Sequence, residues 1–170
     1  MERIEEIDKI LKENGIKIEE NQTLRSFLTE QPEENFQYEK IVISKTIDFR
    51  IKKEVIDIVN VLQEYVTSKY SKEEIDYYNH SERGCYLLST LFALVTDWTL
   101  VQGEMNFKEE KNTYYHSWLE KDNVVYDPSL RIITSKDRYN LFFSEEDSYT
   151  KEELKDYLKK TGTFTYYRKD

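Results

Sequence analysis

Apolar positions in this chain recur first at helical spacing and later at strand spacing. Over residues 2–14, Ile4, Ile7, Ile10 and Leu11 fall on one stripe and predict an amphipathic helix. Gly15 supplies its stop, because glycine tolerates the left-handed conformation found there. Leu24, Phe27 and Leu28 predict a second, short helix, with Pro32 at or just beyond its end. Residues 38–49 are β-prone, with Ile41, Ile43 and Ile47 alternating. Ile51, Val55, Ile58, Val59, Leu62 and Val66 then follow a 3.6-residue period and predict a long helix over 51–69. Ser71 and Glu74 have the spacing of a capping box for another short helix.

Residues 85–96 are apolar almost all round, from Cys85 to Val95, and such a helix belongs at the centre of a domain. Three strands are predicted after it: Thr99 to Phe107, Tyr114 to Glu120 and Val124 to Asp127. Thr150 and Glu153 form a capping box opening a helix through Leu154, Tyr157 and Leu158, and Thr163 to Tyr167 reads as a last strand. The order is helices, one buried helix, a β-meander, a helix and a strand. That is an α+β pattern: a helical N-terminal half, with a central buried helix on an antiparallel sheet. With 4 Gly and 2 Pro there is no linker-like stretch, so residues 1–170 read as a single domain whose residues 1–70 form a mostly helical N-terminal part.

The totals narrow the function classes. Aromatic residues make up 14% of the chain, which argues against disorder. A net charge of −9 repels phosphate backbones, and the Lys52-Lys53 and Lys159-Lys160 pairs sit among acids in helical patterns, so no nucleic-acid partner is expected. A lone Cys forms no internal disulfide and fits a reducing compartment. The N-terminal residues lack a basic region followed by an apolar core, and no apolar run reaches membrane-spanning length. The expectation is a soluble cytoplasmic protein with no membrane partner and an open oligomeric state. Two His and one Cys fall short of the four Cys/His ligands that a structural zinc site usually needs; a carboxylate-rich cation site stays open, but no loop specifies one and no EF-hand spacing occurs, so no metal or other cofactor is implied.

Cys85 stands where a nucleophile benefits. It follows Gly84 and opens the apolar helix, whose unpaired first amides and dipole favour thiolate over thiol. The same amides suit an oxyanion. A free Cys is also commonly a small buried apolar residue. His116 lies in Tyr114-Tyr115-His116-Ser117-Trp118-Leu119-Glu120, where a strand would put Tyr114, His116, Trp118 and Glu120 on one face. Asp127 lies in Val124-Val125-Tyr126-Asp127-Pro128. If Asp122-Asn123 is a two-residue hairpin loop, Lys121 pairs with Val124 and Trp118 lies across from Asp127. His116 and Asp127 are then diagonal neighbours on one face, about 7–8 Å apart at the backbone. A three-residue loop would send Asp127 to the other face. The chemistry fits the residue types: a thiolate to attack an acyl carbon, a His to move its proton, and an Asp to fix the His tautomer.

Gly84-Cys85 opening an apolar helix, then Tyr115-His116-Ser117-Trp118-Leu119-Glu120, then Val125-Tyr126-Asp127-Pro128, resembles the core of transglutaminase-like proteins, a group related to the papain-like enzymes. The resemblance covers roughly residues 80–130. It implies a Cys at the start of a central helix, a His on a following strand and an Asp on the next. Arg83-Gly84-Cys85-Tyr86 is also similar to the Arg-Gly-Gly-x-Cys segment of arylamine N-acetyltransferases, with the second Gly missing. The implied catalytic residues are Cys85, His116 and Asp127. Asn79 and Gln102 are candidates for substrate or oxyanion binding, and Trp118 for a wall of the site. The expected function is acyl hydrolysis or transfer on peptide or protein amides. The alternative is a non-catalytic binding or regulatory module on the same scaffold, suited by a Tyr-rich surface that includes Tyr70, Tyr77 and Tyr78.

Overall fold

A computed structural model describes residues 24–32, 40–74, 84–105 and 115–162. The predicted helix over 2–14 and the predicted strand over 163–167 lie outside these residues. Helix α1 (Leu24–Thr29) ends before Pro32, as its spacing predicts. Helix α2 (Phe49–Lys69) begins at Asp48, whose side chain accepts the Arg50 amide, and buries Val55, Val59 and Leu62. Helix α3 (Gly84–Val95) carries Cys85 as its second residue. The strands are β1 (Val42–Ile43), β2 (Thr99–Met105), β3 (Tyr115–Lys121), β4 (Val124–Asp127), β5 (Ile132–Ser135) and β6 (Phe143–Tyr149). Helices α4 (Lys136–Tyr139) and α5 (Lys151–Thr161) flank β6 in the chain. Both predicted capping boxes are present: Ser71 with Glu74, and Thr150 with Glu153 at the start of α5.

The six strands form one sheet in the order β1-β5-β4-β3-β2-β6. The sheet is mixed rather than purely antiparallel as the sequence suggests, because β1 runs parallel to β5 at its edge. A parallel neighbour needs a long crossover; here it contains α2, α3 and β2 to β4. Strand β6 pairs with β2 across a bulge, where Gln102 faces Asp147 and Gly103 faces Glu145, so Glu146 is the extra residue.

Each face of the sheet has its own core. On one, Leu100, Leu119, Tyr126 and Ile133 pack with Val55, Val59 and Leu62 of α2, Leu87, Phe92 and Ala93 of α3, and Leu154 of α5. The ring of Phe92 lies 5.2 Å from that of Tyr126. On the other, Val101, Trp118, Val125 and Ile132 pack with Phe27 and Leu28 of α1, Tyr139 of α4, Phe142 and Phe143. The two sets alternate along β2 to β5, the period-two rule of a strand buried on both sides. No helix among the described residues is long and apolar enough to cross a membrane.

Candidate active site

The turn between β3 and β4 decides where Asp127 points. Asp122 and Asn123 both adopt positive φ, at 50° and 64°, and Lys121 pairs with Val124. This is the two-residue hairpin loop, which Asp and Asn tolerate better than other side chains. Leu119 faces Tyr126, so the next step of the ladder sets Trp118 across from Asp127. His116 and Asp127 are diagonal neighbours, and His116 Nε2 lies 2.7 Å from Asp127 Oδ2.

Asp127 is fully buried, and its carboxylate is saturated. Oδ1 accepts from the Ser129 amide at 2.9 Å, the Ser129 hydroxyl at 2.9 Å and the Leu130 amide at 3.0 Å. Oδ2 accepts from the Tyr139 hydroxyl at 2.6 Å and meets His116. The amide contacts two and three residues downstream make Asp127 the anchor of its own turn, in which Pro128 removes one donor and fixes one φ. Burial acts to raise the Asp127 pKa. The charge and hydrogen bond of His116, the Tyr139 hydroxyl and the Leu130 amide outweigh it and hold the carboxyl below its ordinary range.

The His116 ring sits on an aromatic bed, 5.3 Å from the Phe143 ring and 6.1 Å from that of Trp118. Phe143 stacks on Tyr139 at 4.2 Å and 10°. With Nε2 committed to Asp127, proton exchange with a nucleophile or leaving group falls to Nδ1. Trp118 is fully buried and donates Nε1–H to Glu120 Oε1 at 2.9 Å, so it packs the core beneath His116.

The other sequence-predicted residues do not join this pair in the same way. Gln102 pairs with Ser117, whereas Gly103 pairs with His116, so Gln102 projects to the α3 face. There it is buried and donates to the Tyr149 hydroxyl at 3.3 Å. A Cβ on Gly103 would lie 2.7 Å from the Trp118 ring and collide with the Ser144 carbonyl oxygen, which places position 103 on the Trp118 face. Asn79 and the Cys85 side chain lie outside the described residues. The helix opened by Gly84 and Cys85 packs, from Leu87 onward, on the face opposite His116 and Asp127. Three residues separate Val95 from Thr99, and α3 contacts both β2 and β3.

Two partners of the site are not among the residues that the sequence reading singles out. Ser129 had a signal, since Asp-Pro-Ser is an Asx-turn pattern. Tyr139 had none, because it lies on a helix of four residues that no periodicity marks.

No protein-family model, curated protein or solved structure matches the chain. The likeness to transglutaminase-like proteins therefore rests on the short segments around Cys85, His116 and Asp127.

Proposed function

We propose that the chain is a cysteine-dependent acyl hydrolase or acyltransferase acting on peptide or protein amides, on a transglutaminase-like core. The observation that carries this reading is the 2.7 Å pairing of His116 Nε2 with a buried, ionised Asp127 on a hairpin that follows a helix opened by Gly84-Cys85. A buried carboxylate is costly unless it serves its partners, and this one fixes a His tautomer with Nδ1 as the reactive nitrogen. In the reaction, Cys85 gives its proton to His116 Nδ1 and its sulfur attacks the amide carbon. The C–N bond breaks, the amine leaves with the proton from His116, and a thioester remains. Water, deprotonated by the same nitrogen, attacks the thioester and releases the acid and the thiol. The helix's first amides face the oxyanion.

The experiment is alkylation of Cys85 by iodoacetamide across neutral pH in the wild type and in His116→Ala. Fast labelling that slows at least tenfold in His116→Ala supports a thiolate paired with His116. Equal, slow labelling in both removes the nucleophile.

One observation favours a second reading. Leu87, Phe92 and Ala93 bury against the sheet face opposite His116. On that basis the His116–Asp127 pair is an internal brace, and the chain a binding or regulatory module. Tyr70 is half-buried, and Tyr77 and Tyr78 lie outside the described residues. The same labelling experiment separates the two readings, because the brace predicts an inert thiol.

A further inference from the structure

We infer that Tyr139 is a positioning residue of the site: its hydroxyl, donated to the oxygen of Asp127 that meets His116, sets how strongly that carboxylate holds the imidazole. The inference rests on the proposed role of His116 and Asp127. Tyr139 donates to Oδ2 at 2.6 Å and His116 Nε2 meets the same atom at 2.7 Å, so the two share one oxygen's electron density. Oδ1 is filled by Ser129 and Leu130, and the Ser129 hydroxyl also lies 3.4 Å from His116 Nε2, a contact that Tyr139→Phe leaves in place. Tyr139 is fully buried, and its ring is fixed by Phe143 at 4.2 Å and Trp118 at 5.0 Å. The donor therefore cannot swing away without opening the core.

The neighbouring charges on this face are paired elsewhere. Lys136 Nζ lies 3.0 Å from Glu120 Oε2 and 3.6 Å from Glu145 Oε2, and Arg138 Nη2 lies 2.6 Å from Glu30 Oε1. Arg131 is the further cation, in the turn that follows Asp127. None of these charges changes when the Tyr139 hydroxyl is removed. That removal leaves more negative charge on Oδ2 for His116 and stabilises the imidazolium.

The test is the titration of His116 followed by NMR, with its signals assigned by His116→Ala. In Tyr139→Phe, which keeps the ring stack, the His116 midpoint rises by about half to one pH unit. Fluorotyrosine at position 139, a stronger donor of the same shape, moves the midpoint down. A midpoint unchanged from the wild type in folded Tyr139→Phe overturns the assignment, as does an upward movement with fluorotyrosine. Should Tyr139→Phe fail to fold, the sign of the fluorotyrosine shift decides alone. The titration needs no turnover. An inert Cys85 would remove the catalytic reading and still leave this measurement to decide the role of Tyr139.

Discussion

The two faces of the sheet differ in their buried polar atoms: those without a partner among the described residues lie on the α3 face, although Gln102 and Thr96 there are hydrogen-bonded. On the α3 face, the hydroxyls of Ser89 and Ser117 and the indole nitrogen of Trp98 are buried with no hydrogen-bond partner among the described residues. On the other face, the buried Asp127 carboxylate has five contacts to donors, and the Trp118 indole has Glu120. An orphaned hydroxyl costs about 1–3 kcal/mol, and a fold tolerates a few. An orphaned carboxylate costs several times that, so its donors must be in place before it can be buried. The α3 face is built by apolar contact and accepts stray hydroxyls. The His116 face is built around a charge, and its geometry is fixed at every donor.

Substitutions that strip the charged face should break the fold, and those that tidy the apolar face should not. Asp127→Ala leaves His116, Tyr139 and the Leu130 amide without their acceptor, and urea unfolding should show a loss of about 3–5 kcal/mol. Gly103→Ala places a Cβ against the Ser144 carbonyl and the Trp118 ring. Because backbone must move, the same assay should show a loss of about 1–3 kcal/mol.

Acidification sharpens the contrast. The Asp127 pKa is lower in the folded chain than in the unfolded one, so the unfolded chain binds the proton more readily. Its contribution is fully present above the ordinary carboxylate value of about 3.9 and is lost as pH falls through the lower folded value. Stability measured from pH 6 downward should therefore fall less steeply in Asp127→Asn than in the wild type. Equal slopes would place the acid-sensitive group elsewhere.

Thr150→Ala removes the side-chain half of the α5 capping box, on neither buried face, and should lower stability by about 1 kcal/mol. The smallest effect tests the apolar face: Ser117→Ala deletes an orphaned hydroxyl and should leave stability unchanged or raise it by up to about 1 kcal/mol. A clear loss there would mean that the hydroxyl has a partner and that the two faces are more alike than the geometry indicates.

The local signals were strong wherever they came from short-range chemistry. The 3.6-residue period placed α2, the capping boxes placed the helix starts after Ser71 and Thr150, and Asp122-Asn123 set the hairpin register that turns Asp127 toward His116. Each depends on residues within a turn or two of one another, so each is readable from the chain alone. Strands β5 and β6 were not legible. β5 is four residues with Ile132 and Ile133 facing opposite cores, which erases alternation. β6 carries Glu145, Glu146 and Asp147, poor strand formers, and is a strand because β2 pairs with it.

The sequence by itself determined the α+β class, the succession of elements from α2 to β4, the start of α5 and the hairpin that brings His116 to Asp127, since local spacing and turn chemistry suffice for these. The tertiary structure alone decided which face each strand residue serves and that β1 joins in parallel beside β5. It also set α3 against the face away from His116, and brought Tyr139 to Asp127 from a helix without periodicity. Those outcomes depend on which distant surfaces exclude water together and on where a buried charge finds its donors, and neither quantity is written in any one stretch of chain.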